Sequence, residues 1–109
     1  MLRPWLPRKF MGMRMSVIGT GYLGSTHAAC MAELGHEVIG VDVDPHKIEL
    51  LSRGETPFFE PGLDGLIRKH ISSGRLHFTT SYQEAADFAH VHFCLLYTSL
   101  MARGRRVDL

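Results

Sequence analysis

A short glycine-rich run near the start of the sequence has the spacing that lets a protein backbone approach a phosphate group. Residues 19–24 follow the pattern G-x-G-x-x-G, which is weak by itself because glycines are common in turns. We expect Gly19 to permit a tight turn, Gly21 to admit a pyrophosphate and Gly24 to let a helix pack near a strand. The candidate phosphate-binding residues are Gly19, Thr20, Gly21, Tyr22, Leu23 and Gly24. The alternative interpretation is a purely structural glycine turn.

An acidic side chain stands where a dinucleotide-binding unit needs one. Asp42 lies 18 residues after Gly24, close to the spacing typical of a carboxylate that binds a ribose. Such a carboxylate can accept both ribose hydroxyls of NAD and would repel the additional phosphate of NADP. Asp44 competes for this role, but its place before Pro45 suits helix capping better. Lys47 can reach the adenosine side of the cofactor; without further context it reads as a solvated surface lysine.

Histidines and cysteines indicate neither a metal site nor a nucleophile. The sequence has seven histidines and two cysteines. His90 and His92 share one strand face, but no third ligand follows at a recognisable spacing, so we predict no metal. Cys30 and Cys94 form no CxxC pair, and Cys30 is expected to be a small buried residue in a helix. We assign no catalytic residue.

The elements around the glycine run alternate between strand and helix. Met15–Ile18 is a short apolar run and predicts a strand that leads into the glycines. Apolar residues then recur at helical spacing and end at Gly35, and Val38–Val43 predicts a second buried strand. A strand, a helix and a strand in this order form a right-handed βαβ unit. The apolar residues of the intervening helix are Leu23, Cys30, Met31 and Leu34.

The same alternation continues to residue 93. Asp44 and Pro45 predict the start of a short helix, and residues 56–62 predict a loop. Residues 63–71 show an apolar stripe of helical period that closes at Gly74, and residues 76–79 predict a third strand. Ser81 with Glu84 is a capping box before a helix over residues 82–88, and a fourth strand begins at residue 91. The fold class is therefore α/β, a Rossmann-like doubly wound parallel sheet of about four strands, incomplete.

Composition and charge exclude several other classes of protein. The apolar fraction of 45% and the charged fraction of 21% are ordinary for a globular domain. The basic residues at both ends have no aromatic platform beside them, so we expect no nucleic-acid partner. No run is long and apolar enough to be a membrane span or signal peptide, so the expected partners include no membrane and the expected location is the cytoplasm.

Four further runs make the sequence resemble the UDP-glucose/GDP-mannose dehydrogenase family. The opening at residues 13–24 looks like the family pattern G-x-G-Y-[VL]-G, and the match continues through Gly40–Asp44. The run Glu60–Leu63, which reads Glu-Pro-Gly-Leu, is far more specific than the glycine pattern. Residues 74–80 and 85–87 also fit, so the resemblance covers residues 13–93.

This resemblance implies a function for the intact parent of the chain. The family oxidises the C6 alcohol of a nucleotide sugar to an acid with two molecules of NAD and a covalent cysteine intermediate. It implies NAD contacts at the glycine loop, at Asp42 and at Lys47, a parent that converts UDP-glucose to UDP-glucuronate, and a homo-oligomeric assembly. GDP-mannose or a UDP-amino sugar as substrate, or a non-catalytic dinucleotide-binding module, are the alternatives. Neither Cys30 nor Cys94 matches the family's cysteine motif, so the chain alone is expected to be inactive.

The two ends of the sequence depart from the family pattern. Residues 1–12 precede the usual family start and are expected to be an N-terminal extension. After Phe93 the family continues toward a Val-Gly-Thr-Pro run, whereas Cys94–Ser99 reads Cys-Leu-Leu-Tyr-Thr-Ser. These six residues are the in-frame translation of a transposon-end adapter used in sequencing libraries. We therefore expect residues 13–93 to be the NAD-binding segment and residues 94–109 to be a non-native tail.

Overall fold

A four-stranded parallel sheet is the centre of the molecule. The computed structural model describes residues 12–57 and 60–95. The elements are β1 (Arg14–Ile18), α1 (Tyr22–Glu33), β2 (Glu37–Val41), α2 (Pro45–Ser52), α3 (Leu63–Ser73), β3 (Leu76–Thr79), α4 (Tyr82–Phe88) and β4 (Val91–Cys94). The strand order is β3-β2-β1-β4, and all three pairings are parallel. This is the order of a Rossmann-type half-sheet, which confirms the predicted fold class.

The two faces of the sheet are covered by different helices. On one face α1 and α3 pack over a cluster whose fully buried members include Val17, Val38 and Ile67. On the other face α4 contributes Ala85 to a smaller cluster with Ile39. Strands that are apolar on both sides fit this arrangement, because a parallel sheet covered by helices has no solvent-facing side.

The helix α1 is confirmed, but most of its predicted apolar face is exposed. Its buried residues are small: Gly24, Ser25, Ala28, Ala29 and Ala32. Leu34 is 63% exposed, Leu23 is 45% exposed and Cys30 is exposed rather than buried. Small side chains bring the helix axis close to the sheet, and of the predicted apolar residues Met31 still packs, partly buried, against the core cluster.

The second strand ends two residues earlier than predicted. Val43 is 71% exposed and lies outside β2, which ends at Val41. The Asp44 N–H donates to Asp42 Oδ1 at 3.1 Å, and this local bond turns the chain out of the strand. Side-chain capping of this kind competes with the strand ladder, and periodicity alone does not detect it.

The predicted helix caps are confirmed for α2 and in part for α4. Asp44 accepts from the His46 N–H at 3.0 Å, and Pro45 occupies the first helical position. Ser81 Oγ accepts from the Glu84 N–H at 3.0 Å, as a capping box requires. The reciprocal bond is absent from the described contacts of α4, because the Ser81 N–H donates to Thr79 Oγ1 and Glu84 accepts from the Thr79 hydroxyl.

The predicted domain boundaries remain predictions. Residues 1–11, 58–59 and 96–109 lie outside the described residues, and most of both predicted terminal segments falls there. Cys94 is the last residue of β4 and pairs with Ile18, so the strand includes the first residue of the predicted non-native tail. Among the described residues, no helix is long and apolar enough to cross a membrane.

Candidate functional site

The glycine loop connects the carboxyl end of β1 to the first turn of α1. Gly19 has a φ of 100°, which L side chains rarely adopt, and its N–H donates to the Val41 carbonyl at 2.8 Å. Gly21 is the N-cap of α1, and no side chain caps this helix. The helix therefore presents its N-terminus and positive dipole end at the carboxyl edge of the sheet, as an anion-binding loop requires.

Gly24 and Gly21 differ in the structural reason for which the loop needs a glycine. A Cβ on Gly24 would lie 1.8 Å from the Gly19 carbonyl oxygen, so only glycine lets α1 start this close to β1. A Cβ on Gly21 would meet nothing within 4 Å. The backbone at Gly21 thus faces open space that a bound group can enter. Gly24 thus has the packing role that the sequence predicts, and the approach of a pyrophosphate to Gly21 stays a prediction.

A concave site of about 360 Å³ lies against this loop. Its lining residues are Gly19, Gly21, Tyr22, Leu23, Gly24 and Leu95. Tyr22 is 49% exposed and Leu23 45% exposed, so their side chains are accessible at its edge. Five of the six predicted loop residues line the site. The sixth, Thr20, is fully buried and contacts another candidate instead.

Asp42 lies at the carboxyl end of β2, beside the loop, and is held by four donors. Its Oδ2 accepts from the Thr20 N–H at 2.9 Å, the Thr20 hydroxyl at 3.1 Å and Lys47 Nζ at 3.2 Å. Its Oδ1 accepts from the Asp44 N–H at 3.1 Å. Thr20 thereby fixes the distance between the glycine loop and the acid. The sequence pattern did not identify this role of the first variable residue of the motif.

The environment of Asp42 keeps its carboxylate charged. Burial raises the pKa of Asp42, but hydrogen bonds from the Thr20 and Asp44 N–H groups and the positive charge of Lys47 outweigh burial. The pKa therefore lies below its ordinary value. An ionised carboxylate at this edge can accept ribose hydroxyls and repels a phosphate. Asp44 caps α2 through its side chain, which supports Asp42 as the ribose-binding acid.

Lys47 is placed with Asp42 and not in bulk solvent. Its side chain is 27% exposed, and its Nζ forms an ion pair with Asp42 Oδ2 at 3.2 Å. The ammonium is thus held at the same edge as the glycine loop. His92 lies on β4, whereas His90 lies just before the strand begins, and no group of three potential ligands is gathered among the described residues.

The glycine loop also contacts the Glu-Pro-Gly-Leu run, a contact that sequence reasoning missed. The Tyr22 hydroxyl donates to Glu60 Oε1 at 3.0 Å across 38 residues of sequence. Both residues stand in runs that the sequence singled out, but nothing in their spacing shows that they meet.

Fold and site together define a dinucleotide-binding α/β domain. The residues present fit the adenosine and pyrophosphate parts of NAD, because the open face at Gly21, the α1 N-terminus and the charged Asp42 lie at one edge of the sheet. The family model for the UDP-glucose/GDP-mannose dehydrogenase family, NAD binding domain, matches residues 13–109. The chain therefore belongs to this family, and its cofactor is NAD.

Relatives of known activity support the same family. The UDP-glucose 6-dehydrogenase of Bacillus subtilis is 41% identical over 92 residues, which are 84% of this chain and 21% of that protein. The GDP-mannose 6-dehydrogenase of Pseudomonas putida is 49% identical over 92 residues, with the same two coverages. The chain spans about a fifth of the length of these two relatives.

Solved structures show the same architecture. A ternary complex of GDP-mannose dehydrogenase from Pseudomonas aeruginosa matches with a TM-score of 0.74 and 43% identity, over 76% of this chain and 19% of that one. A UDP-glucose dehydrogenase from Pyrobaculum islandicum matches with a TM-score of 0.76 and 40% identity, over 82% of this chain and 21% of that one. The N-terminal NAD-binding domain is thus shared by enzymes that differ in sugar.

Proposed function

We propose that the chain binds NAD through the residues assembled at the carboxyl edge of the sheet. The pyrophosphate lies against the Gly21 backbone at the N-terminus of α1, and Asp42 accepts the hydroxyls of the adenosine ribose. Lys47 lies beside the adenosine ribose. The observation on which this assignment depends is the charged Asp42 carboxylate, fixed by Thr20 at the edge of the loop.

Ribose binding at Asp42 is an exchange of partners. Both carboxylate oxygens already accept protein hydrogen bonds, and a carboxylate offers about four acceptor positions. The Thr20 and Asp44 N–H groups are backbone donors and stay in place. The Lys47 ammonium is on a flexible stem, so it can move aside while a ribose hydroxyl takes its position at Oδ2. The N–H groups thus keep the acid ionised during the exchange.

We further propose that the intact protein oxidises the C6 alcohol of UDP-glucose to the acid of UDP-glucuronate. NAD, when bound, accepts a hydride from the carbon that is oxidised, and two molecules are consumed for each sugar. Support comes from the UDP-glucose 6-dehydrogenase of Bacillus subtilis, 41% identical over 84% of the chain. The described residues position the cofactor only, so we propose that this chain alone binds NAD without turnover.

GDP-mannose is the second candidate substrate, and one observation favours it. The GDP-mannose 6-dehydrogenase of Pseudomonas putida has the higher identity, 49% against 41% over the same number of residues. This difference falls in the segment that binds the cofactor, which has no contact with the sugar in our proposal. A UDP-amino sugar is the third candidate, because a UDP-N-acetyl-mannosamine dehydrogenase from Staphylococcus aureus matches with a TM-score of 0.60.

Reduction of NAD by the longer protein tests the substrate. The gene is extended to the length of the relatives, and the purified protein is mixed with NAD and each nucleotide sugar in turn. We expect two NADH for each UDP-glucose and no NADH from the chain of 109 residues. Oxidation of GDP-mannose instead would establish the second candidate. NAD binding without oxidation of any of the sugars would identify a non-catalytic module.

Further proposals concern the intact protein and the last residues of the chain. The intact protein is proposed to be a cytoplasmic homo-oligomer that binds neither nucleic acid nor membrane.

Residues 94–109 are proposed to derive from a library adapter, since Cys94–Ser99 matches its translation. Resequencing of the source gene across codon 94 tests this. A genomic continuation that encodes the same residues would contradict the adapter origin.

A further inference from the structure

The ion pair between Lys47 and Asp42 places a cation on the acid of the proposed NAD site. Lys47 Nζ lies 3.2 Å from Asp42 Oδ2. The other donors to this carboxylate are the N–H groups of Thr20 and Asp44 and the hydroxyl of the fully buried Thr20. Among the described residues, the ammonium is therefore the only charged donor to Asp42, and it alone stands on a long flexible stem.

Lys47 stands at a helix end that does not favour a cation. It is the third residue of α2, and the N-terminus of a helix carries a partial positive charge. No acidic residue lies in the first turn of α2, and the Asp44 carboxylate before it caps the helix by accepting from the His46 N–H at 3.0 Å. Asp42 is thus the acid that pairs with the ammonium. Without Asp42, the charge at this edge of the sheet would shift toward positive.

NAD and NADP differ at the ribose position that Asp42 is proposed to bind. NAD has a hydroxyl there, which can donate to the carboxylate, whereas NADP has a phosphate. A phosphate offers acceptors and negative charge, so it is attracted by a lysine and repelled by a carboxylate. The side chain of Lys47 is 27% exposed and that of Asp42 is 12% exposed. Lys47 is therefore the partner of the pair that is more accessible to a ligand.

We propose that Lys47 is a latent phosphate-binding residue and that Asp42, by pairing with it, keeps the site selective for NAD. In the wild type, a 2′-phosphate meets a fixed carboxylate, and the ammonium is already paired. With a neutral residue at position 42, the same ammonium is released within reach of that phosphate. Position 47 then determines whether NADP can bind. This inference rests on the proposed binding of the adenosine ribose at Asp42.

Titration calorimetry of the full chain with NAD and with NADP tests the proposal. Asp42→Ala removes the carboxylate, and NADP should then bind about tenfold more tightly than it binds the wild type, because a contact between the lysine and the phosphate forms. Adding Lys47→Met to Asp42→Ala should remove this gain. The same addition should change NAD affinity by less than about threefold, because NAD carries no phosphate at this position. A merely structural role of Lys47 would not produce a loss confined to NADP.

A second pair of a lysine and a carboxylate provides the matched control. Lys69 Nζ lies 3.1 Å from Glu33 Oε1, and Glu33 is the last residue of α1, at the end opposite to the glycine loop. Glu33→Ala removes the same negative charge as Asp42→Ala and also releases a lysine from its ion pair. It should leave the affinities for NAD and NADP unchanged, because the released ammonium is not at the proposed ribose site.

The outcomes of the titrations separate this inference from the proposed NAD site. Unchanged NAD affinity in Asp42→Ala would overturn the ribose site itself. Weaker NAD binding with no gain in NADP affinity would overturn the role of Lys47 alone, as would a gain that persists when Lys47→Met is added or that also occurs in Glu33→Ala. Circular dichroism monitors the fold, and Asp42→Asn, which keeps an acceptor for the Thr20 N–H, replaces Asp42→Ala in every arm if the alanine variant does not fold.

Discussion

Two alanine substitutions in the glycine loop should separate folding from binding. In Gly24→Ala the new methyl would lie 1.8 Å from the Gly19 carbonyl oxygen and 2.9 Å from the Gly19 carbonyl carbon. Both contacts are with backbone, so no side-chain rotation relieves them. The start of α1 must move by more than about 1 Å away from β1, because a Cβ does not come closer than 3.0 Å to another heavy atom.

The magnitude follows from this displacement. Overpacking by a methyl costs about 1–3 kcal/mol, and a backbone clash lies at the upper end, so we expect about 3 kcal/mol. For a domain of this size each kcal/mol lowers Tm by about 4–8 °C, which gives a decrease of at least about 10 °C. Part of that loss comes from the packing of Ala28 and Ala32, which α1 buries against the sheet.

Gly21→Ala is the matched counterpart. Its φ of −73° and ψ of −159° are accessible to alanine, and the new methyl meets nothing within 4 Å. The free energy of unfolding should change by less than about 1 kcal/mol. NAD affinity should fall by at least about tenfold, because the methyl occupies the side that the pyrophosphate approaches.

Differential scanning calorimetry gives Tm, and calorimetric titration gives the NAD dissociation constant. We expect Gly24→Ala to lose stability and Gly21→Ala to lose binding with Tm nearly retained. An equal loss of Tm in both variants would refute the separate reasons for the two glycines. Wild-type affinity in Gly21→Ala would refute the location of the pyrophosphate.

Other perturbations test the supports of the site. Asp44→Ala removes the cap of α2 and should lower the free energy of unfolding in urea by about 1 kcal/mol, while the exposed-face control Asp87→Ala should change it by less than about 0.5 kcal/mol. Gly40→Ala places a methyl 2.7 Å from the Phe78 ring and should lower Tm, though by less than Gly24→Ala, because a ring can shift. The pKa of Asp42 is lower in the folded protein than in the unfolded chain. The stabilisation of the fold by its carboxylate is therefore complete above the unfolded pKa and is lost as pH falls through the folded pKa. In Asp42→Asn, the loss of stability with falling pH, followed by circular dichroism, should therefore be less steep between these two pKa values than in the wild type.

Local sequence signals predicted the elements well because each was set by short-range chemistry. The strand before Gly19, the cap at Asp44 and the stop at Gly74 all depend on residues within a few positions of each other. Parallel pairing then followed from the alternation of strands and helices. Asp42 could be proposed as the candidate acid for the same reason, since the βαβ unit fixes the distance along the chain from Gly24 to Asp42.

Long-range contacts were the part that the pattern did not predict. The buried face of α1 consists of alanines, a serine and a glycine, and an apolar periodicity that counts large residues selects the exposed Cys30 instead. The bond from Thr20 to Asp42 depends on the strand pairing that brings the two strand ends together. The bond from Tyr22 to Glu60 joins residues 38 positions apart, and no local pattern specifies it.

The affinities of the chain for NAD and NADP, measured by titration calorimetry, test the central claim most directly. We expect NAD to bind at least about tenfold more tightly than NADP, because the charged Asp42 repels the additional phosphate. Asp42→Ala should weaken NAD binding and reduce the preference for NAD over NADP. A wild-type preference for NADP, or NAD binding that is unchanged in Asp42→Ala, would contradict the assignment of the site.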